Sequence, residues 1–158
     1  MALEIERRFL IKNDDWKEFI TKKIVIEQGY LTKNLDDWII RIRFADKDFK
    51  IAFKKHIKSF TNFEFEYSIP QKDGETIMSN LSNTIKKERF FLEFENKSWI
   101  IDCFKENNYP LEIAEIELSS EEEDLFLPSF ISKEITGITD YSNFSLAKKP
   151  FSTWKNNI

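Results

Sequence analysis

A period-two alternation of apolar and charged residues recurs along this chain, and it is the feature that most limits the possible folds. In LEIERRFLI, residues 3–11, the apolar side chains at positions 3, 5, 9 and 11 share one face. Glu4, Glu6 and Arg8 share the other face. Such alternation predicts a β-strand buried on one side. The same pattern predicts eight strands in all, near 3–12, 23–33, 38–46, 48–57, 62–69, 85–95, 98–105 and 111–118.

The charged faces of these strands carry same-sign residues two positions apart. Like charges this close repel unless a counter-ion lies between them. A two-layer sheet with a solvated outer face is the ordinary explanation for any one strand, and it stays open as an alternative. The whole series favours a closed antiparallel barrel of eight strands whose charged faces point inward. The interior set would then be Glu4, Glu6, Glu64, Glu66, Asp102, Glu115 and Glu117 together with Arg8, Arg41, Arg43, Lys54, Lys87 and Arg89.

A barrel interior with this composition needs water or a ligand, because burying such charges in a dry interior costs several kcal/mol per ion. Clustered carboxylates favour hard divalent cations such as Mg²⁺ or Mn²⁺. Clustered Arg and Lys side chains favour phosphate oxygens. A complex of a metal ion with a polyphosphate satisfies both groups.

Three helical segments are predicted between the strands. DDWKEFITK at 14–22 has Asp15 as an N-cap with Glu18 three residues later. QKDGETIMSNLSN at 71–83 follows a proline, and SNFSLAKKP at 142–150 is capped by Ser142 or Asn143. Each has an apolar stripe that can cover the outside of a sheet. The predicted fold class is therefore α+β, mostly β: an eight-stranded closed antiparallel barrel with a few helices packed on its outside.

Length and composition exclude several other classes of protein. The 158 residues predict a single domain over 1–158. No apolar stretch predicts a membrane span, and the first 20 residues do not resemble a signal peptide, so a cytoplasmic location is expected. Cys103 is the single cysteine, which excludes an internal disulfide. The mixed charges with a net charge of −4 argue against a nucleic-acid partner, and none of the three glycines belongs to a phosphate-binding loop.

The segment EIERRF at 4–9 resembles the ExExK signature that opens the CYTH, or triphosphate tunnel metalloenzyme, family. The resemblance continues in the same order over nearly the whole chain. The further matching segments are QGYL at 28–31, RIR at 41–43, AFK at 52–54, EFEYSIP at 64–70, WIIDCF at 99–104, AEIEL at 114–118 and DYSNFSLAKKP at 140–150. A single ExExK match is weak, whereas this ordered series is specific.

The resemblance implies an eight-stranded tunnel that holds a divalent metal, Mg²⁺ or Mn²⁺, and a triphosphate. Carried over by position, it implies that Glu4, Glu6, Glu115 and Glu117 bind metal, and that Glu64, Glu66 and Asp102 serve a second metal or its waters. It also implies that Arg8, Arg41, Arg43, Lys54, Lys87 and Arg89 bind phosphate oxygens. Tyr30 donates a hydrogen bond to the substrate, orients a neighbouring cation, or only packs within its strand. Glu4, Glu6 and Glu117 form the predicted catalytic set.

Two positions depart from the family pattern. Arg8 stands where the signature has lysine, so the positive charge is kept but the side chain cannot act as a general base. Many relatives also carry an arginine just before the acidic pair of EFEY, where this chain has Asn62 and Phe63. The departure predicts the loss of one phosphate contact, and it leaves the substrate preference open.

The leading functional hypothesis is metal-dependent hydrolysis of a triphosphate, above all inorganic tripolyphosphate, with release of phosphate. Thiamine or nucleoside triphosphates are alternative substrates, and adenylate cyclisation of ATP is an alternative reaction. A binding module for polyphosphate or nucleotides without catalysis is the alternative that involves no enzyme. The expected partner is a small-molecule triphosphate, a homodimer is an expectation by analogy alone, and His56 is expected at the surface.

Overall fold

The computed structural model describes residues 2–34 and 37–154, so Met1, residues 35–36 and residues 155–158 lie outside the described part. Nine strands form one antiparallel sheet. They are β1 (Leu3–Ile11), β2 (Ile20–Tyr30), β3 (Ile39–Ala45), β4 (Asp48–Lys58), β5 (Thr61–Ile69), β6 (Thr84–Phe94), β7 (Lys97–Phe104), β8 (Glu112–Glu117) and β9 (Ile131–Glu134). The first eight follow the predicted strands closely.

Pairing of β1 with β5 closes the sheet into a barrel. Around the barrel the order is β1, β5, β4, β3, β2, β6, β7 and β8, and β8 pairs again with β1. The start of β1 pairs with β5, with Leu3 opposite Phe63, while its end pairs with β9, with Phe9 opposite Glu134. The predicted eight-stranded closed barrel is confirmed, and β9 is an additional short strand that the alternation did not predict.

The register of the strands directs the predicted charged faces to a common interior. Glu6 is directly opposite Glu117, and Arg8 is opposite Glu115. Residues directly opposite each other in an antiparallel pair project to the same side of the sheet. Lys54 is likewise opposite Glu64, and Arg89 is opposite Asp102. Opposite charges therefore face one another in three of these four pairs, whereas like charges are opposite in the Glu6–Glu117 pair and in the Arg43–Lys50 pair of β3 and β4.

The main apolar core lies outside the barrel, against the outward faces of β1, β6, β7 and β8. It comprises Phe9, Trp16, Leu92, Trp99, Ile101, Ala114, Ile116, Leu118, Phe130 and Ile131. A 3-10 helix, Asp15–Phe19, and the segment leading to β9 cover it. Burial of these large side chains supplies the hydrophobic stabilisation that an interior lined with charges cannot supply.

The predicted helix at 14–22 is wrong in type and extent. Only the 3-10 helix Asp15–Phe19 forms, its N-cap is Asp14 instead of Asp15, and no side-chain capping bond is present. Strand β2 begins at Ile20, which pairs with Leu92 of β6. The sheet hydrogen bonds of β2 therefore override the local helical pattern.

Helix α1 (Gln71–Ser79) packs over β3 and β4, where Gly74 lies against the ring of Phe49. It is shorter than the predicted segment at 71–83. Helix α2 (Asn143–Lys148) is capped by Ser142, whose Oγ accepts a hydrogen bond from the Ser145 amide at 3.1 Å. The two alternatives for this cap are thus resolved in favour of Ser142. Neither helix is long and apolar enough to cross a membrane.

Helix α2 also closes one end of the barrel. Leu146 of α2 packs in an apolar cluster with Ile85, Phe104, Leu111, Ile113 and Ile135. Ile85 and Ile113 lie two residues before Lys87 and Glu115 on their strands, so they share the inward face with these charges. The interior is therefore apolar at the α2 end and charged beyond it.

Candidate active site

The deepest ion pairs of the barrel interior centre on Asp102, whose side chain is 0% exposed. Its carboxylate accepts hydrogen bonds from Lys87 Nζ at 2.6 Å and from Arg89 Nε and Nη2 at 2.8 and 2.9 Å. Burial opposes the charge of Asp102, but the Arg89 and Lys87 cations outweigh it and hold its pKa well below the ordinary value. Lys87 also donates to Asn143 Oδ1 at 2.9 Å, so the start of α2 contacts this cluster directly.

A second group of ion pairs joins Arg8 to Glu115. Arg8 Nε lies 3.2 Å from Glu115 Oε2, and Arg89 Nη2 lies 3.9 Å from the other Glu115 oxygen. Arg8 Nη1 donates to the Tyr141 carbonyl at 3.0 Å. Burial disfavours the charged form of Glu115, yet Arg8 and Arg89 keep its pKa below the ordinary value. Arg8 therefore occupies the signature position as a fixed, paired cation.

The third group is less buried. Lys54 Nζ lies 2.7 Å from Glu4 Oε1 and 3.7 Å from Glu64, and Arg41 Nη2 lies 2.9 Å from Glu66. The side chains of Lys54 and Glu66 are 30% and 32% exposed, whereas Glu4 and Arg41 are nearly buried. The charged interior is thus accessible to water on this side and closed on the α2 side.

Glu6 and Glu117 have no ion-pair partner of their own among the described residues. Burial, followed by the charges of Glu115 and Glu4, raises the pKa of Glu6 to about 8. Burial together with Glu4 and Glu115 also raises the pKa of Glu117. Carboxylates are therefore crowded where β1 and β8 pair, and additional positive charge would be favourable there.

Mg²⁺ and Mn²⁺ fit this site in donor chemistry, although the carboxylates are not already arranged around one point. Within 2–34 and 37–154, no three His, Cys, Asp or Glu side chains lie close enough together to hold a metal ion. The crowded donors are all carboxylates, the ligands that hard divalent cations prefer. Glu4 and Glu115 are instead engaged by Lys54 and Arg8.

Around Arg43, the positively charged side chains outnumber the carboxylates that could pair with them. Burial and the neighbouring Arg41 and Arg89 lower the pKa of Arg43 to about 9. Burial lowers the pKa of Lys87 to about 7, against the opposing attraction of Asp102. Among the described residues, Arg8 Nη2 and Arg41 Nε are buried without a hydrogen-bond partner.

Two neutral side chains contact this set and were not identified from the sequence. Asn143 accepts from Lys87, as described above. Gln28 is 0% exposed; its Oε1 accepts from Arg43 Nε and its Nε2 donates to the Tyr30 oxygen, both at 2.8 Å. Gln28 and Tyr30 share the inward face of β2, so the alternation could have revealed Gln28 had neutral polar residues been counted with the charged ones.

The remaining predicted positions have ordinary surroundings. His56 is exposed near the end of β4, as expected. Asn62, at a position where relatives often carry arginine, faces Glu4, with its Nδ2 at 3.5 Å from Glu4 Oε1. The Cys103 thiol lies 3.5 Å from Glu112, and burial raises its pKa to about 12. Neither His56 nor Cys103 belongs to the interior cluster.

The sequence as a whole resembles a known enzyme. No protein-family model matches the chain. Over 158 residues it is 34% identical to an inorganic triphosphatase from Acetivibrio thermocellus, and the match covers 98% of this chain and 99% of that relative.

Solved structures show the same architecture. The inorganic triphosphatase NE1496 superposes with a TM-score of 0.68 at 25% identity, covering 93% of this chain and 95% of that chain. HpAC1 from Hippeastrum, a candidate adenylyl cyclase with a dominant triphosphatase activity, has a TM-score of 0.57 at 15% identity, covering 77% and 81%, and this likeness concerns the fold alone. The closed barrel, its charged interior and the full-length match to a relative lead to one assignment: this chain belongs to the CYTH, or triphosphate tunnel metalloenzyme, family.

Proposed function

We propose that this protein is a divalent-metal-dependent inorganic triphosphatase that hydrolyses tripolyphosphate and releases phosphate. The observation that carries the proposal is the barrel interior, where residues of both charges face one another across neighbouring strands. The 34% identity with the Acetivibrio thermocellus inorganic triphosphatase supports the same substrate.

Unpaired donors in the interior support an anionic substrate. Arg8 Nη2 and Arg41 Nε are buried without an acceptor among residues 2–34 and 37–154. A buried donor without a partner costs about 1–3 kcal/mol, and more when the group is charged. Phosphate oxygens of a triphosphate would supply these acceptors and also offset the repulsion among Arg41, Arg43 and Arg89.

The internal ion pairs support a substrate that arrives with a metal ion. Within the barrel interior, Lys54 is paired with Glu4, and Arg41 with Glu66. A metal–triphosphate complex lets each partner exchange an internal contact for an external one, because the cations turn to phosphate oxygens and the carboxylates to the metal. Every buried charge then keeps a partner. Leaving one of them unpaired would cost several kcal/mol.

Glu4, Glu6, Glu115 and Glu117 are the residues that would hold the metal, with Glu64 and Glu66 available to a second ion or its waters. Asp102, the third residue expected there, is buried and already accepts hydrogen bonds from Lys87 and Arg89. When bound, Mg²⁺ or Mn²⁺ would neutralise phosphate charge and make water a better nucleophile. Glu6 would be held in its ionised form by such a cation, which reverses the effect of its burial. Glu117 is exposed at the end of β8, and an oxygen of its carboxylate that does not hold the metal is our candidate for accepting the proton of the attacking water.

The basic side chains would position the triphosphate for attack. Phosphoryl transfer depends mainly on positioning and on stabilising charge, so no Ser or Cys nucleophile is required. Asp102 and Asn143 hold Lys87, and Asp102 holds Arg89, in fixed orientations before substrate arrives. Arg8 binds phosphate and takes no part as a base, because its guanidinium stays protonated.

The test is a substrate panel with each metal. Tripolyphosphate, ATP and thiamine triphosphate are incubated with Mg²⁺, Mn²⁺ or EDTA, and free phosphate and cyclic AMP are measured. We expect phosphate from tripolyphosphate with metal and none with EDTA. Glu4→Gln should abolish this release, while the matched control Glu75→Gln, on the exposed surface of α1, should keep it. Cyclic AMP from ATP would instead identify a cyclase, and binding without any product would identify a non-catalytic module.

A further inference from the structure

We infer that Gln28 is a positioning residue that holds Tyr30 and Arg43 together as one donor group for a phosphate oxygen of the substrate. The inference rests on the proposed function, since it concerns how the same interior binds a triphosphate. Gln28 is neutral, whereas the residues that the sequence predicts for this site are all charged apart from Tyr30.

The strand register places the three side chains side by side. Gln28 on β2 is directly opposite Arg43 on β3. Tyr30 follows Gln28 by two residues, so both side chains project to the interior. Gln28 is 0% exposed and Tyr30 is 7% exposed, so neither side chain is a surface group.

The chemistry of the partners determines which way the Gln28 amide points. Arg43 Nε can only donate, so the group 2.8 Å away must be the amide oxygen, Oε1. The amide nitrogen, Nε2, then faces Tyr30 and donates to its oxygen at 2.8 Å. An amide is needed here because it accepts from one neighbour and donates to the other.

This orientation leaves the Tyr30 hydroxyl proton available. The Tyr30 oxygen accepts from Gln28, and its O–H has no acceptor among the described residues. Burial raises the pKa of Tyr30 above its ordinary value, so the phenol keeps this proton at neutral pH. The ring of Phe144 packs edge-on against the Tyr30 ring, with centroids 5.5 Å apart, which restricts the ring orientation.

Arg43 is oriented in the same way. Its Nε is engaged by Gln28, whereas its two terminal nitrogens make no hydrogen bond or ion pair with residues 2–34 and 37–154. The guanidinium plane is therefore fixed at one edge, and the other edge stays open. A phosphate oxygen near this edge can accept from Arg43 and from Tyr30 together, and charge-assisted bonds of this kind are strong.

The experiment compares Gln28→Met with the matched surface control Gln71→Met on α1. Methionine has a similar volume but can neither accept from Arg43 nor donate to Tyr30. The dissociation constant of tripolyphosphate is measured by calorimetry in EDTA, and KM and kcat are measured with metal. We expect Gln28→Met to weaken binding about tenfold or more, from the loss of hydrogen bonds that hold charged and polar donors. KM should rise more than kcat falls, and Gln71→Met should bind as the wild type does.

A second comparison separates positioning from simple packing. Tyr30→Phe is measured in the wild type and in Gln28→Glu, whose carboxylate accepts hydrogen bonds both from Arg43 and from the Tyr30 hydroxyl, so that this hydroxyl is no longer free to donate to phosphate. We expect Tyr30→Phe to weaken binding several-fold in the wild type and to have no further effect beside Gln28→Glu, which is a non-additive result. If Gln28→Met does not fold, the comparison of Tyr30→Phe in the wild type and in Gln28→Glu still tests the inference.

The outcomes distinguish this inference from the proposed function. Folded Gln28→Met with wild-type affinity, or equal effects of Tyr30→Phe in both backgrounds, would overturn the role of Gln28 and leave the triphosphatase proposal intact. A wild type that binds tripolyphosphate without releasing phosphate would overturn the hydrolysis alone. A wild type that neither binds tripolyphosphate in EDTA nor hydrolyses it with metal would overturn both.

Discussion

Replacing Glu6 by glutamine should make the metal-free protein more stable in a pH-dependent way. The Glu6 pKa is raised from 4.5 to about 8, first by burial and then by Glu115 and Glu4. A carboxyl group with a raised pKa stabilises the fold fully below pH 4.5, and this stabilisation is lost as the pH rises toward about 8. Glutamine has nearly the same shape but stays neutral, so the variant should not show this loss.

The magnitude follows from the two pKa values. At about 1.4 kcal/mol per pH unit, the raised pKa of Glu6 lowers the free energy of unfolding by about 1 kcal/mol at pH 5 and about 3 kcal/mol at pH 7, because Glu6 ionises more readily in the unfolded chain. The unfolding free energy of Glu6→Gln minus that of the wild type should therefore grow by about 2–3 kcal/mol over this range and level off above about pH 8. Glu75→Gln on α1 controls for the loss of a surface carboxylate.

The assay is urea unfolding in EDTA, followed by the fluorescence of the buried Trp16 and Trp99. In a second series with Mg²⁺, the difference in unfolding free energy should shift in favour of the wild type. A bound cation stabilises the ionised form of Glu6, which only the wild type has. If the difference in unfolding free energy between Glu6→Gln and the wild type stays constant from pH 5 to 8, the reasoning is refuted. Glu6 would then not be a buried carboxyl group that a bound cation stabilises in its ionised form.

Three further substitutions test other parts of the structure. Arg41→Ala should raise KM for tripolyphosphate about tenfold with little change in kcat, since it removes a phosphate contact; an unchanged KM would place Arg41 outside the binding site. Asn143→Ala should lower kcat/KM several-fold while changing the unfolding free energy by about 1 kcal/mol, because Lys87 loses a 2.9 Å acceptor; kcat/KM equal to the wild type would show that Lys87 needs no such support. Gly74→Ala should lower the thermal midpoint, since its Cβ would lie 2.1 Å from Phe49 Cγ. That overlap costs about 1–3 kcal/mol, more than the ~1 kcal/mol that alanine gains in a helix, and an unchanged midpoint would contradict it.

The strands and their charged faces could be predicted because a strand repeats every two residues. Alternation is visible in any short window, so Glu4, Glu6 and Arg8 could be assigned to one face without knowing what that face meets. The same-sign pairs then favoured an enclosed interior over a solvated surface. Both predictions needed only local spacing and the repulsion of like charges.

Features that depend on distant partners could not be predicted in this way. The segment after Asp15 has a helical pattern, yet pairing with β6 draws residues from Ile20 onward into a strand. Strand β9 spans only the four residues Ile131–Glu134, too few for a clear alternation, and it exists because the end of β1 offers a free edge. Gln28 carries no charge and gave no signal until its two partners were in place.

The amino-acid order by itself determined that many strands would each present a charged face and an apolar face, since side-chain direction along a strand alternates regardless of context. Only the tertiary structure decided that β1 meets β5 to close the barrel, that the main core lies outside it, and that Leu146 of α2 covers one end. It also decided which charges pair, leaving Glu6 and Arg43 without ion-pair partners among the described residues. The physical reason is that closure, register and ion pairing join residues far apart in the chain, and their energies exist only once those residues are brought together.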